Sequence, residues 1–276
     1  MRRRTLLELD RFRYLKVAAL LVALSIAAYA LDRPPVAPYG GTWLGYALGT
    51  TAAALMVFQL WLGVRRRHHR GGGRLEGWVS AHVYLGVALL VLATLHSGFQ
   101  IGWNIHSLAY ALMLGMVITG LYGLYLYLRI PRLMTTNMGD ESFADLVLKI
   151  ADLDERARER VPHLPGPTGD AVIAAIERTA VGGGLFRLLS GRHPDCPTRR
   201  ALLVLQEPGD DPDAARAGHR RELYSLLLRK ESLLLRARRD VAFRARLDFW
   251  LYLHAPLAVA TFAALAAHVV ATLFYR

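Results

Sequence analysis

Four histidines with a repeated spacing lie in two apolar stretches of the chain. His82 and His96 are 14 residues apart within residues 78–99, and His254 and His268 are 14 apart within residues 249–274. At about 1.5 Å and 100° per residue, 14 residues of α-helix rise about 21 Å and return to within about 40° of the same face. Each stretch therefore predicts one helix with two imidazoles on one face, at two depths.

Two such helices with histidines at matching heights form two bis-imidazole slots, one above the other. This geometry predicts two stacked haems, each held by a pair of histidines as metal ligands. The residues between the histidines on these faces include Leu89 and Leu265, and the small residues among them leave space for a flat macrocycle. The small residues are Gly86, Ala93, Ala258 and Thr261.

The second ring nitrogen of each ligand needs a hydrogen-bond acceptor. Backbone carbonyls one turn earlier are candidates, and so are the hydroxyls of Ser80, Thr94 and Thr261. The alternative interpretation is that the histidines are satisfied core residues of a membrane protein. Ionisable residues inside membrane spans are rare and usually functional, and the repeated spacing favours ligation.

The composition indicates a multi-span membrane protein. Of the 276 residues 54% are hydrophobic, mean hydropathy is +0.26, and the apolar residues form blocks of the length that a bilayer demands. The net charge of +12 comes from arginines beside these blocks, which fits membrane topology and argues against a nucleic-acid partner. A single cysteine, Cys196, excludes an internal disulfide and a covalently attached c-type haem.

The predicted fold is all-α: a polytopic membrane helix bundle of five spans with a helical cytoplasmic insertion. Lys and Arg number six in residues 1–16 and five in residues 65–77, but one in 32–41 and none in 99–106. The positive-inside rule then places the N-terminus in the cytoplasm and the C-terminus outside, in a cell inner membrane. The expected spans are 17–31, 42–64, 78–99, 107–128 and 249–274.

This topology makes the third and fifth spans parallel. His82 then faces His254 near the cytoplasmic side, and His96 faces His268 near the outer side. In the fourth span, which Arg129 and Arg132 are expected to end, a face of small residues predicts close packing against helices or a macrocycle. These residues are Gly115, Thr119 and Gly123.

The domain prediction is spans 1–4 in residues 1–130, the insertion in 131–247, and the fifth span in 248–276. Within the insertion, helices are expected at 141–161 and from Asp170 to about Ala180, whereas residues 201–206 fit a short strand or a helix end. A long helix from Asp213 to Arg246 is expected to run into the fifth span. Its dense arginines suit anionic lipid, haem propionates or an acidic partner.

Other histidines carry weaker signals. His106, beside Trp103 and Asn104, is a candidate for hydrogen bonding a quinol, although it also fits an ordinary interfacial histidine. His68 and His69, among arginines and glycines, are expected to be solvated. A zinc site needs a regular ligand spacing, which is missing among His163, His193, His219 and Cys196.

On the spacing of His82, His96, His254 and His268, the chain resembles the di-haem cytochrome b fold of quinone-linked respiratory enzymes. It is also similar to the ferric reductase transmembrane domain in using its third and fifth spans. The resemblance implies two haem b groups, quinone, lipid and redox partner subunits, and transfer of electrons across or within the membrane. It covers about 150 residues; a flavin domain and a bc-type quinol motif are missing.

Two other hypotheses remain open. In the main interpretation the chain is an electron-transfer subunit with no self-contained catalytic motif. The first alternative is that it is the membrane half of a ferric or ascorbate-type reductase. In that case a separate flavoprotein would dock on the 131–247 insertion. The last hypothesis is a non-haem membrane scaffold or sensor.

Overall fold

A computed structural model describes residues 12–32, 38–68, 73–207 and 214–274, with the side chains of 62–68 and 73–76 left out. Within these ranges the chain is all-α, as predicted, and no strand occurs. A 3₁₀ turn, Val161–His163, follows the fifth of nine α-helices in this part of the chain. The helices are α1 Arg13–Leu31, α2 Trp43–His68, α3 Gly73–His96, α4 Ile105–Met138, α5 Phe143–Arg160, α6 Pro167–Glu177, α7 Leu185–Ser190, α8 Pro197–Gln206 and α9 Ala214–Phe274.

Five of these helices are long and apolar enough to cross a membrane: α1, α2, α3, α4 and α9. This confirms the prediction of a multi-pass membrane protein. Large apolar side chains on the outside of α1, such as Leu20 and Leu24, are about 60% exposed, as expected for a helix whose surface faces lipid. Most arginines counted for the topology, including Arg2–Arg4 and Arg70, lie outside the described residues or have side chains that the structure does not describe.

Two predicted helix ends differ from the structure. The third span ends at His96 rather than Phe99, because Gly98 and Phe99 both adopt positive φ angles that an α-helix excludes. The fourth span was expected to end at Leu128, before Arg129 and Arg132, but α4 continues through Pro131 to Met138. Its end is a glycine cap: Gly139 has φ 59° and its N–H donates to the Thr135 carbonyl at 2.9 Å.

The chain divides into two compact units, Met1–Tyr125 with Trp250–Arg276, and Leu126–Phe249. In the first unit α3 packs against both α1 and α2. Apolar residues spaced by four along α2 contact leucines spaced by three along α3, and small residues of α1 and α3 form a second contact. The buried residues are Leu44, Leu48, Ala52, Met56, Leu89, Leu92, Leu95 and Met113 in the first, and Ala18, Ala81, Leu85 and Ala88 in the second.

The second unit is a helical domain with its own core, built from α5, α6, α8 and the first part of α9. Ser142 and Asp145 form a reciprocal capping box at the start of α5, which satisfies two backbone N–H groups that the helix leaves free. Residues 201–206, left open between strand and helix, belong to α8. The core residues are Leu153, Ala157, Leu164, Val172, Ala175, Ala201, Leu202, Leu205, Leu223, Leu226 and Leu227.

Two buried cations inside this second unit are paired. Lys230 is 1% exposed, and its ammonium donates to the Asp154 carboxylate and to the Ala175 carbonyl. Arg238, also buried, donates to the Ala180 carbonyl. Buried charges are tolerated only with such partners. Lys230 and Arg238 therefore stabilise the interior of the unit and are not part of its charged surface.

Candidate functional site

The structure brings the four histidines of the first unit together in two groups. His96 and His268 have ring centroids 6.0 Å apart, and His82 and His254 lie close enough for their charges to interact. This is the pairing expected of parallel spans. The membrane part of α9 therefore runs in the same direction as α3.

In the pair formed by His96 and His268, a hydrogen bond from a neighbouring helix orients the first ring. Nδ1 of His96 lies 2.7 Å from the Gly45 carbonyl of α2. A carbonyl only accepts, so Nδ1 carries the proton and Nε2 keeps its lone pair. Metal-ligating histidines are oriented by this kind of bond, and the tautomer is the one that ligates through Nε2.

Two glycines make room for the His96 ring. A Cβ at Gly49 would lie 2.6 Å from ring atom Cε1, and a Cβ at Gly40 would lie 3.0 Å from it. Contacts under 3.0 Å are not made by real side chains, so Gly49 is required for the observed ring position. The chain thus supplies both an acceptor and a gap for this imidazole from α2 and the turn before it.

The distance between the two rings matches a shared metal ion. A metal–nitrogen bond of about 2.0–2.1 Å on each side, with about 1.1 Å from each nitrogen to its ring centre, separates two axial imidazole centroids by about 6.3 Å. His96 and His268 stand 6.0 Å apart at an interplanar angle of 83°. The separation is that of two imidazoles that share one metal ion when their Nε2 atoms face each other.

His106 joins this group as a third imidazole. Its ring centroid lies 4.5 Å from that of His268, edge to face, and its side chain is exposed. Nδ1 of His268 is buried without a hydrogen-bond partner. The sequence placed His106 at the mouth of the fourth span but gave no sign of its contact with His268, since the two residues are 162 positions apart.

In the other pair, His254 is oriented by the fourth span. Its Nδ1 lies 2.9 Å from the Thr119 hydroxyl oxygen, and the same hydroxyl donates its proton to the Met116 carbonyl. The histidine is then the donor, and its Nε2 is left with a lone pair. The Trp250 indole stacks on His254 at 5.4 Å and donates to the Thr119 carbonyl at 2.8 Å.

His82 lies beside a buried amide that the sequence analysis did not single out. Gln59 of α2 donates from Nε2 to the His82 carbonyl at 2.9 Å. Both Gln59 Oε1 and His82 Nδ1 are buried without a partner, which costs free energy unless a polar group reaches them. The signal was present, because Gln59 is the one amide side chain in the second span.

The structure puts the expected acceptors elsewhere. The Thr94 hydroxyl bonds to the Leu90 carbonyl and to the Tyr110 hydroxyl, and Thr261 donates to the Leu257 carbonyl. Neither hydroxyl bonds to a histidine. The acceptors of His96 and His254 come instead from α2 and α4.

The small residues between the histidines have distinct surroundings. A Cβ at Gly86 would lie 3.2 Å from Gln59 Nε2, so this glycine faces α2. Ala93 packs on the contact between α2 and α3. Thr261 is buried at 1% exposure, while Ala258 is half-buried one turn before it.

Small residues of the fourth span pack against α9, so this face contacts a helix, one of the two partners that the sequence left open. A Cβ at Gly123 would lie 2.0 Å from the Trp250 indole, while one at Gly115 would meet Leu257 at 3.6 Å. Thr119 between them bonds to both Trp250 and His254. This face of α4, formed by Gly115, Thr119 and Gly123, therefore contacts the Trp250 indole and the His254 imidazole of α9. We call this contact surface the ring seat.

The second unit does not assemble the four residues considered for zinc. His163 and His219 stack with centroids 4.2 Å apart, and Cys196 instead accepts from Arg238 at 3.4 Å. Burial raises the pKa of Cys196, but hydrogen bonds from Arg199 and Arg238 outweigh this effect and lower it below its usual value. Among the residues that the structure describes, no group of three or more His, Cys, Asp or Glu is arranged for a metal ion.

No protein-family model, curated protein or solved structure matches this chain.

The contact of Gly123 with Trp250 gives a test of the ring seat. We expect Gly123→Ala to displace the indole, break its bond to Thr119 and lower the free energy of unfolding by about 1–3 kcal/mol, as overpacking does. Denaturation of the purified protein in detergent measures this. Gly115→Ala is the matched control, since its new Cβ makes an ordinary contact; equal effects of the two changes would contradict the proposed seat.

Proposed function

We propose that this protein is a di-haem b membrane cytochrome. Each haem is held by two histidines, one from α3 and one from α9: His82 with His254, and His96 with His268. The observation that carries the proposal is the 6.0 Å separation of the His96 and His268 rings, together with the bond from His96 Nδ1 to Gly45. That combination gives a ligand spacing and a ligand tautomer suited to iron.

The chemistry supplied by a bis-histidine haem is a one-electron ferrous–ferric couple with no open coordination position, which suits electron transfer rather than oxygen activation. The chain's own residues orient one ring of each pair. Gly45 and Thr119 hold the protons on Nδ1 of His96 and His254, while Trp250 covers one face of His254.

The 14-residue spacing supports electron transfer across the membrane. Two sites about 21 Å apart along the helices extend over most of a hydrocarbon core about 30 Å thick. We place the protein in the cell inner membrane with its N-terminus in the cytoplasm, on the arginine distribution of the sequence. In this proposal electrons pass between a quinone pool and redox partner subunits of a respiratory or photosynthetic complex.

The first prediction from the proposed function concerns haem content. Purified protein is expected to give a reduced-minus-oxidised spectrum of b-type haem and two haems per chain in a pyridine haemochrome assay. His82→Ala and His254→Ala should each lose one haem, and the same one. His96→Ala and His268→Ala should each lose the other, since a haem with one axial ligand removed is held only weakly.

His163→Ala is the control for these variants, because His163 is an exposed histidine of the second unit and should leave both haems in place. A folded but colourless preparation would refute the proposal and favour the scaffold or sensor interpretation. Loss of the same haem by His82→Ala and His268→Ala would contradict the pairing.

The second prediction tests the orientation of His254. Thr119→Val removes the acceptor of its Nδ1 proton, and loss of such a supporting bond costs about 10–100-fold in metal affinity. Haem retention during titration with a competing apoprotein measures the change. Thr119→Ser should restore it, and Thr51→Val is a control because that hydroxyl bonds within its own helix to Ala47. Unchanged retention in Thr119→Val would show that this bond does not support the ligand.

The third prediction separates quinol from flavoprotein as the electron donor. A short-chain quinol should reduce both haems of the purified protein without any added flavoprotein. His106→Gln should keep two haems but slow reduction by about tenfold or more if this exposed imidazole takes the quinol proton. Reduction that requires a flavoprotein would instead favour the metal or ascorbate reductase.

A further inference from the structure

The second unit contains a cavity of about 280 Å³ between α9 and the turn that follows α7. Gly191 in that turn has φ 67°, and a Cβ there would lie 3.3 Å from Ala242 of α9. Glycine therefore allows the turn to lie against the helix. The cavity is lined by three arginines, Arg192, Arg239 and Arg246, and by Ser190 and Phe243 among its neutral residues.

The charge of this cavity is not balanced by its own lining, which contains no acidic residue. Asp240, next to Arg239 in sequence, is fully buried and accepts from Arg244 at 2.9 Å. Asp195 faces Arg187. Three arginines thus line one space, whereas Asp240 accepts from Arg244 through one carboxylate oxygen and Asp195 pairs with Arg187.

One of the three guanidinium groups is held in place. Nε of Arg246 donates to the Leu189 carbonyl at 2.8 Å, and its guanidinium lies 5.9 Å from the Phe243 ring. The two terminal nitrogens of Arg246 remain available. Arg192 and Arg239 are exposed, and in the part of the chain that the structure describes their side chains form no hydrogen bond or ion pair.

This arrangement selects a phosphate group as ligand. Guanidinium presents paired N–H donors that match phosphate oxygens, and bonds between charged groups are about twice as strong as neutral ones. A cavity of about 280 Å³ is also larger than a single ion requires. It suits a phosphate that carries a small organic headgroup, with the Ser190 hydroxyl as a further polar contact.

Two observations favour a lipid as the source of that phosphate. Leu185 and Phe186 of α7, the helix that leads into the cavity, are 60% and 74% exposed, and exposed apolar side chains next to cations are typical of surfaces that bind anionic membranes. Arg246 also stands only four residues before Trp250 in the continuous helix α9. We propose that the arginine cavity binds the headgroup of an anionic membrane phospholipid.

The test uses the full-length protein in nanodiscs or detergent with added phosphatidylglycerol, and phosphatidylcholine as the neutral comparison. Binding measured by native mass spectrometry or by lipid-dependent thermal stabilisation should favour phosphatidylglycerol. Arg239→Gln and Arg246→Gln should each weaken this preference by about fivefold, the value of roughly one membrane-facing arginine, and the double variant should abolish it. Arg229→Gln is the matched control, an exposed arginine on the same helix outside the cavity.

Competition distinguishes the two sources of phosphate. Inorganic phosphate and glycerol phosphate at millimolar concentration should leave phosphatidylglycerol binding unchanged. Complete competition by either would overturn the lipid assignment, and so would equal losses in Arg239→Gln and Arg229→Gln. The haem content of each variant should equal that of the unmodified protein, so failure of this proposal is distinguishable from failure of the proposed cytochrome function.

Discussion

The orientation of one imidazole ring in each histidine pair by a hydrogen bond to a neighbouring helix is the interaction on which the rest of the site depends. His96 donates to Gly45 of α2, and His254 donates to Thr119 of α4. One such bond contributes about 0.5–1.5 kcal/mol to stability, which is small for a membrane bundle. Its main effect is to select one tautomer and one orientation of the ring. It fixes which nitrogen carries the proton and where the other nitrogen points.

The packing around these bonds is arranged to permit them. Gly49 leaves the space that the His96 ring occupies, and Gly123 leaves the space for the indole that covers His254. A larger side chain at either position would meet ring atoms at distances below 3.0 Å. The small residues of α2 and α4 therefore determine where the rings of α3 and α9 can lie. Close helix contacts in this unit position the rings as well as pack the helices.

The 14-residue spacing together with the Lys and Arg distribution predicts that His96 and His268 lie at the same end of parallel spans, and their rings lie 6.0 Å apart. The spacing could not predict the acceptors Gly45 and Thr119, or the contact of His106 with His268, since these join residues far apart in the chain. Helix ends were also uncertain: Pro131 removes one backbone donor, yet α4 continues past it to the glycine cap at Gly139. Where a helix ends depends on local backbone conformation, which the pattern of apolar residues does not predict.

The source of the two acceptors limits how small a working version of this site can be. A peptide pair copied from the histidine-bearing segments alone would carry all four imidazoles but would lack the carbonyl of Gly45 and the hydroxyl of Thr119. Its rings would rotate freely and sample both tautomers. Any transplant into a synthetic scaffold must therefore rebuild one acceptor on each flanking helix, so the minimal unit is a quartet of helices rather than a pair.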